Sequence, residues 1–502
     1  MMRVVRAGSG VLAALAAACL LCAPGSAAAQ AMTLLDAYHL ALAQDPRYRA
    51  AVEEAAAGEQ YRLIGRSFLL PQIQFTYNWS RNRSDITRYA GPRLGDQTTT
   101  EFYRSYSGAV QLRQPLFNWD YWSRFRQGEA QSQASAALFD SRRQELALRV
   151  TTAFTEVLEA YDVIALAEAE RDALQEQLKQ NHRFFDKGEG TRTDIVETQA
   201  RLDLAVAQVI EARDGLTAAR KRLDAILGAS QGGQDRLLAT LSPQFRAAGP
   251  VPADIGYWTD AAIASNPELQ SRVQGVEAAR QDIGRARAGH LPRVDLVASY
   301  GENKSETVNT LNTRYDTAYV GLQVAVPLFS GGAVRAQVSQ AEANYRKAMA
   351  EFDGRRTEVT DEVRKQFDLA LSSVVKVGAY EQAEQAAREL LRATRLSIAA
   401  GMRVNLDLLN AQQQLHTARR NLARARYTNV VTRLRLLFAA GLLTEQDVRD
   451  ASAQFSGHAA PGQPERPERP EQPEQPERRA ASRALDVSAA TKPFGEPRHG
   501  QH

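Results

Sequence analysis

The same order of segments occurs twice in this chain, and the matching positions lie about 220 residues apart. Each copy begins with a helix-like stretch, continues with two strand-like stretches and ends with a very long helix-like stretch. This duplication of few strands and long helices predicts two similar structural repeats and argues against the strand-helix alternation of an α/β enzyme. The motifs shared by the copies are Asp45-Pro46 with Asn266-Pro267, Leu70-Pro71 with Leu291-Pro292, and Pro115-Leu116-Phe117 with Pro327-Leu328-Phe329.

Four stretches alternate apolar and polar side chains, which is the pattern of a half-buried β-strand. We predict strands at about 72–83, 102–114, 293–302 and 316–327. Strands of about ten residues are long enough to cross a bilayer at a tilt, and tyrosine and tryptophan gather near their ends, as in an interfacial belt. Four strands cannot close a barrel, and open sheet edges are not tolerated in lipid, so a membrane location requires several chains.

A long stretch without proline follows each strand pair, and its apolar residues recur at helical spacing. About 60 residues of helix, at 1.5 Å per residue, extend about 90 Å. A break marked by Gly188 or Gly401 then precedes a returning helix, so each copy is predicted to form a helical hairpin whose tip lies far from the strands. A periplasmic coiled-coil structural protein would explain these helices alone, but not the strands.

The two ends of the chain differ in composition from its middle. Residues 1–31 have the pattern of a secretory signal peptide, with cleavage predicted after Ala29 or Ala31. Both cysteines lie in this segment, so the mature protein would lack disulfides; lipid modification of Cys19 is the alternative. Residues 452–502 are rich in proline, glutamate and arginine and are predicted to form a disordered tail. The first repeat would span 32–228, a linker 229–257 and the second repeat 258–445.

Charge and motifs exclude several classes of function. The chain has 62 basic and 58 acidic residues, and no basic cluster is interleaved with aromatic residues, so the sequence does not indicate a nucleic-acid partner. Its seven histidines lack metal-ligand spacing, and it contains no nucleophile elbow, phosphate-binding loop or dinucleotide fingerprint. We therefore expect no enzyme activity, no cofactor and no metal site.

Together these features resemble the TolC-like outer-membrane channel-tunnel family, in particular the branch that serves type I secretion. The resemblance covers residues 33–445. It rests on the opening segment 34–42 with Asp45-Pro46, on the Leu-Pro and Pro-Leu-Phe motifs that bracket the strands, and on the two tip motifs at 188–194 and 401–412. Each motif alone is weak, but their order, duplication and spacing are specific.

The resemblance implies a mainly α-helical fold with transmembrane β-strands. Three chains would contribute four strands each to a 12-stranded barrel in outer-membrane lipid, and the helices would continue it as a coiled-coil barrel in the periplasm. The implied function is the exit channel of a tripartite type I secretion system, which exports a protein with an inner-membrane ABC transporter and a membrane-fusion adaptor. The alternative is the outer-membrane channel of a drug or metal efflux pump.

By resemblance, the tip motifs also indicate gate residues. Thr193 and Asp194 match the gate of the first repeat, and Arg403 matches its basic partner in the second. Asp407 would form a ring of three carboxylates at the entrance and attract cations. The structural alternative is that Asp194 is a helix N-cap and Asp407 an acidic residue in the first turn of a helix.

The chain departs from the family pattern at two tip positions. Ile398 stands where the best-known member of the family has a gate tyrosine, and Asn410 stands where that member has a second entrance aspartate. The resemblance therefore implies a gate with one hydrogen bond fewer and an entrance ring with half the charge.

Overall fold

A computed structural model describes residues 31–89, 94–228, 237–400 and 402–459. The predicted signal peptide up to residue 30, part of the predicted linker (229–236), Gly401 and residues 460–502 of the predicted tail lie outside the described residues. The helices are α1 (Leu34–Gln44), α2 (Pro46–Ser67), α3 (Trp119–Asp186), α4 (Arg192–Leu227), α5 (Ile255–Ser265), α6 (Pro267–Arg287), α7 (Ala333–Ala399), α8 (Asn405–Ala439) and α9 (Glu445–Ser452).

Four strands form one antiparallel sheet in the order β1-β2-β4-β5: β1 (Gln72–Tyr89), β2 (Asp96–Phe117), β4 (Arg293–Lys304) and β5 (Arg314–Ala325). The first three predicted strands lie within β1, β2 and β4, whereas the fourth, predicted to end at 327, ends at Ala325; β1 and β2 are longer than expected. They continue because polar side chains pair across them, for example Ser80 with Ser105 at 2.6 Å and Thr87 with Thr98 at 2.8 Å between hydroxyl oxygens. The first hairpin thus extends about 30 Å beyond the pairing of β2 with β4.

A second, small sheet lies in residues expected to form the linker and the disordered tail. β3 (Ala239–Leu241) lies inside the predicted linker and pairs antiparallel with β6 (Phe455–Ala459), which lies inside the predicted disordered tail. The order of 452–459 has a packing cause, since Phe455 is buried edge-on against Phe154 of α3, with ring centroids 5.6 Å apart. The prediction of disorder from residue 452 is therefore wrong for residues 452–459.

Helices α3 and α7 contain 68 and 67 residues, which corresponds to about 100 Å each. In its first part α3 packs against α2 and α6, and farther along it packs against α4 and α8. Helix α7 packs against α6 and α8. In the helical layer far from the four-stranded sheet, α3 and α8 therefore lie in the middle, and α4 and α7 lie at the two edges. None of the described helices combines the length and the apolar character of a membrane span.

The largest hydrophobic core lies where the helical hairpins end and the short helices begin. The residues that α3 contributes to this core recur at helical spacing. They form one buried stripe along the helix, and the other sides of the helix are more polar. Apolar side chains of α1, α4, α8 and α9 complete the cluster. The stripe on α3 consists of Leu146, Val150, Phe154, Val157 and Tyr161.

The motifs Asp45-Pro46 and Asn266-Pro267 are helix starts held by buried side chains. Asp45 caps α2 by accepting the Tyr48 N–H at 2.7 Å, and Arg149 of α3 donates to both of its carboxylate oxygens at 3.1 Å. Asn266 caps α6 and donates through Nδ2 to the carbonyl of Ala439 at 3.0 Å. Proline fits the next position because the first turn of a helix does not use that N–H. Each motif therefore fixes a short helix against a long one.

Candidate functional site

The first helical hairpin turns between Asp186, the last residue of α3, and Arg192, the first residue of α4. Gly188 lies in the left-handed region with φ +79°, and its N–H donates to the carbonyl of Phe185 at 2.9 Å. The N–H of Glu189 then donates to the carbonyl of Phe184, also at 2.9 Å, which closes the end of α3. Glycine at this position allows the reversal of chain direction that places 192–194 at the tip.

Asp194 forms a reciprocal capping box with Thr191 at the start of α4. The Thr191 hydroxyl donates to Asp194 Oδ2 at 2.6 Å, and the Asp194 N–H donates back to Thr191 Oγ1 at 3.2 Å. The expectation that Asp194 is the N-cap is thus wrong by three positions, because Thr191 is the N-cap and Asp194 is the third helical residue. Asp194 is half-buried, while the neighbouring Thr193 is exposed.

The second tip places Arg403 in the exposed turn between α7 and α8. No ion pair joins Arg403 to Asp194 among the described residues of the chain, so one protomer does not assemble the latch implied by the resemblance. Asp407 is half-buried in the first turn of α8, where its carboxylate faces the positive end of the helix dipole. Ile398 is half-buried near the end of α7.

Sequence reasoning missed a network of neutral side chains that joins the two hairpins behind the tip. Gln177 Nε2 of α3 donates to Asn405 Oδ1 of α8 at 2.9 Å and to Asn181 Oδ1 at 3.1 Å. Asn181 Nδ2 donates to Thr198 Oγ1 of α4 at 2.9 Å and to the carbonyl of Asp194 at 3.2 Å. Gln177, Asn181 and Thr198 are buried, so the bonds from Gln177 to Asn181 and from Asn181 to Thr198 are formed away from water.

A second link between the hairpins uses Asn410, one of the two residues that depart from the family pattern. Arg201 of α4 donates through Nη2 to Asn410 Oδ1 at 2.9 Å, and the same nitrogen lies 3.3 Å from Glu197 Oε1. The amide oxygen of Asn410 thus accepts a hydrogen bond from a guanidinium within the protomer. Asparagine at this position therefore removes a charge but keeps a polar contact. Both links are hard to predict from the sequence. The only indication is that a few polar residues interrupt a helix face that is otherwise apolar.

Burial suppresses charge in the helical wall behind the tip. The pKa of Glu170 on α3 is raised because burial penalises its carboxylate, which Arg420 only partly offsets. The pKa of His416 on α8 is lowered, first by burial and then by the nearby Arg419. Both shifts favour the neutral form of the side chain.

Apolar side chains remain exposed at the tip and along the edge helices. They include residues of both tip turns and stripes on α4 and α7, the two helices at the edges of the far layer. Exposed apolar surface on this scale indicates contact with other protein. The exposed residues are Phe184, Phe185, Met402 and Val404 at the tip, Val196, Leu204, Val206 and Ile210 on α4, and Leu371, Val375, Leu390 and Leu396 on α7.

The four-stranded sheet has one apolar face and one polar face. Register places Phe75 opposite Val110, Val110 opposite Tyr300, and Tyr300 opposite Ala318, so these residues share the apolar face. The other face carries glutamine, asparagine, threonine and serine, together with an ion pair in which the half-exposed Arg113 donates to the buried Asp295 at 2.6 Å. The strands β1 and β5 are the two edges of this sheet.

Metal binding has no support in the part of the chain that the structure describes, where no cluster of three or more histidine, cysteine, aspartate or glutamate side chains is placed to hold an ion.

Comparison with known proteins identifies relatives over nearly the whole described chain. Residues 37–229 and 258–442 match the family described as outer membrane efflux protein. The chain is 44% identical to the alkaline protease secretion protein AprF of Pseudomonas aeruginosa, over 86% of this chain and 89% of the relative. It is 40% identical to the proteases secretion protein PrtF of Dickeya chrysanthemi, over 85% and 92%. Identity to the outer membrane protein TolC of Escherichia coli is 29%, over 84% and 85%.

Solved structures show the same fold at lower identity. The outer membrane protein VceC of Vibrio cholerae superposes with a TM-score of 0.69 at 18% identity, over 81% of this chain and 96% of that one. The open state of the MtrE outer membrane channel of Neisseria gonorrhoeae gives 0.65 at 19% identity, over 82% and 90%.

Proposed function

The chain belongs to the outer membrane efflux protein family, and from this we propose that it is the exit channel of a type I secretion system. It is an outer-membrane channel with its helices in the periplasm and not an enzyme. In the proposed role it passes a protein to the exterior, together with an inner-membrane ABC transporter and a periplasmic membrane-fusion adaptor. The observation that carries this role is that two relatives at 40% identity or more are both protease secretion proteins.

The proposed assembly is a homotrimer in which each chain supplies two repeats. A four-stranded sheet with free edges at β1 and β5 supports it, because three such sheets joined edge to edge give a closed barrel of 12 strands. The exposed apolar stripes on α4 and α7 support it as well, since they would be buried where α7 of one chain meets α4 of the next. The apolar face of the sheet would then contact outer-membrane lipid.

Complementation tests the function. A strain that lacks the outer-membrane channel of its protease secretion system would receive this chain, and extracellular protease activity and resistance to toxic small molecules would both be measured. We expect protease in the medium to be restored and the chain to fractionate with the outer membrane. Restored drug or metal resistance without secretion would favour the efflux alternative, and a soluble periplasmic location would reject the channel.

We also propose that the tips form the gate between protomers, with Thr193, Asp194 and Arg403 as its contacts. Because Asp194 and Arg403 are not paired within one chain, the proposed latch joins neighbouring chains. A partly exposed ion pair of this kind contributes about 1 kcal/mol or less, which holds a closed state without locking it.

Asp194→Ala and Arg403→Ala are each expected to raise single-channel conductance in planar bilayers, since each removes one side of the latch. Asp447→Ala is the matched control, because Asp447 forms the same capping box with Thr444 at the start of α9, away from the tips. Its conductance should equal that of the wild type. Unchanged conductance in both tip variants, or an equal rise in the control, would reject the latch and leave a capping role for Asp194.

A further inference from the structure

Basic residues follow the aromatic belt on the apolar face of the sheet. Register places Trp79 opposite Tyr106, and Arg81 directly opposite Arg104 one step nearer the hairpin loop. Lys304 of β4 lies opposite Tyr106 on the same face. Along this face of β1 and β2 the side chains therefore change from apolar to aromatic and then to cationic. On β4 and β5 the same face also carries Glu302 opposite Asp316, and both carboxylates lie within ion-pair distance of Arg314.

In the proposed outer-membrane orientation, this transition lies at the outer surface of the membrane. The strand β1 leaves the helices at Gln72 and reaches Arg81 nine residues later, a rise of about 30 Å. That distance is close to the thickness of the hydrocarbon core, although strand tilt shortens its projection. Since the helices lie in the periplasm, Arg81, Arg104 and Lys304 lie at the level of the lipid headgroups in the outer leaflet.

These three cations have no ion pair with any residue in the described parts of the chain. The two other cations nearby differ, because Arg83 pairs with Asp85 at 3.4 Å and Arg314 pairs with Glu302 at 2.9 Å. Like charges directly opposite each other on adjacent strands destabilise a sheet. The pair of Arg81 and Arg104 thus has a cost that an anion from outside the chain would remove.

We propose that Arg81, Arg104 and Lys304 bind the phosphate groups of a phosphorylated glycolipid in the outer leaflet. Guanidinium groups bind phosphate through paired, charge-assisted hydrogen bonds. The exposed rings of Trp79 and Phe75 continue directly below, so one ligand with a phosphorylated head and acyl chains fits the whole surface. A free phosphate ion would contact only the cationic part of this surface. The proposal rests on the outer-membrane orientation of the sheet and adds a lipid site to it.

Binding of diphosphoryl lipid A to the full chain, purified in a neutral detergent, tests the site. The variant R81Q/R104Q removes two charges from the lipid face, and R88Q/R293Q removes two from the opposite face, where Arg88 and Arg293 have no ion pair among the described residues. Native mass spectrometry would give the affinities. We expect R81Q/R104Q to bind about tenfold more weakly or worse and R88Q/R293Q to stay within about twofold of wild type. R81K/R104K, which keeps the charges, should bind with intermediate affinity.

Several outcomes would overturn the lipid site. The first is equal affinity of R81Q/R104Q and wild type for diphosphoryl lipid A. The second is that wild type binds lipid A without its two phosphates as tightly as diphosphoryl lipid A. The third is that inorganic phosphate, at the same concentration as the lipid phosphate, fully displaces the lipid. Secretion is measured separately. A chain that secretes protein but does not bind lipid A rejects this site alone, whereas a chain that binds lipid A but does not secrete rejects the proposed function alone.

Discussion

Single residues in this chain combine a structural role with a position at a functional surface. Asp194 stabilises the start of α4 through Thr191, and it also lies at the tip that the family resemblance assigns to the gate. Its acidic character could be read from the sequence, but its reciprocal cap could not be separated from an N-cap role without the backbone. Asn405 could not be assigned at all, because its partner Gln177 is 228 positions away.

Asp162 tests how a buried carboxylate in the helical wall affects stability. Burial raises its pKa above the ordinary 3.8, and the hydrogen bond from the Tyr427 hydroxyl and the charge of Arg426 only partly oppose this. Between 3.8 and the higher folded-state pKa the folded protein binds more protons than the unfolded chain, so stability increases as the pH falls through this window. Asp162→Asn keeps an acceptor for Tyr427 and is expected to raise Tm at pH 7 and to weaken this pH dependence.

Circular dichroism melts of the purified protein at several pH values would measure both effects. Asp172→Asn is the control, because Asp172 is largely exposed and pairs with its neighbour Arg171, a contact of little energetic value. Its Tm should match that of the wild type within about 1 °C. A lower Tm for Asp162→Asn at pH 7 would show that the charged carboxylate stabilises the fold, contrary to this expectation.

At the scale of elements, periodicity was informative where one face of a strand or helix is buried. The alternation around Ile73, Phe75 and Tyr77 located β1, because each apolar residue faces the same side. Beyond Arg81 the residues of β1 are mostly polar on both faces, so the alternation is lost although the pairing continues to Tyr89 opposite Asp96. The strands β3 and β6 are too short for any period to be detected, and packing of the core decides their formation.

Close packing of α2 on α3 gives a prediction at this scale. A Cβ at Gly128 would lie 2.4 Å from the carbonyl oxygen of Tyr61, so Gly128→Ala must push the two helices apart. We expect a loss of about 1–3 kcal/mol per protomer and a lower Tm. Gly354→Ala in α7 is the matched control, since a Cβ there meets nothing within 4 Å, and alanine favours a helix by about 0.5–1 kcal/mol. A Tm for Gly128→Ala at or above that of wild type would contradict the close packing.

At the scale of the whole molecule, the duplication in the sequence was the most informative feature. It indicated two strand pairs and two helical hairpins, and with the family motifs it led to an outer-membrane channel, in agreement with the relatives. A single chain contains neither the contacts between protomers nor those with the adaptor, so the assembly and the partners stay proposals. They depend on surfaces such as the stripes on α4 and α7, whose partner lies outside the chain.

The proposed ring of Asp407 residues makes a prediction for the complete trimer. Three carboxylates close together attract cations, so Asp407→Ala should reduce cation preference and weaken block by multivalent cations in planar bilayers. Asp407→Glu keeps the charge and should retain both properties. Equal cation preference in wild type and Asp407→Ala would place the carboxylate away from the ion path.

The hydrogen bonds that join the two helical hairpins through Gln177, Asn181, Thr198 and Asn405 involve only amide and hydroxyl side chains. None of these groups gains or loses a proton at any pH that a bacterium survives. Small ions pass the outer membrane freely, so the periplasm takes on the acidity of the growth medium. In an acidified medium this network behind the tips would therefore continue to join the hairpins of each protomer.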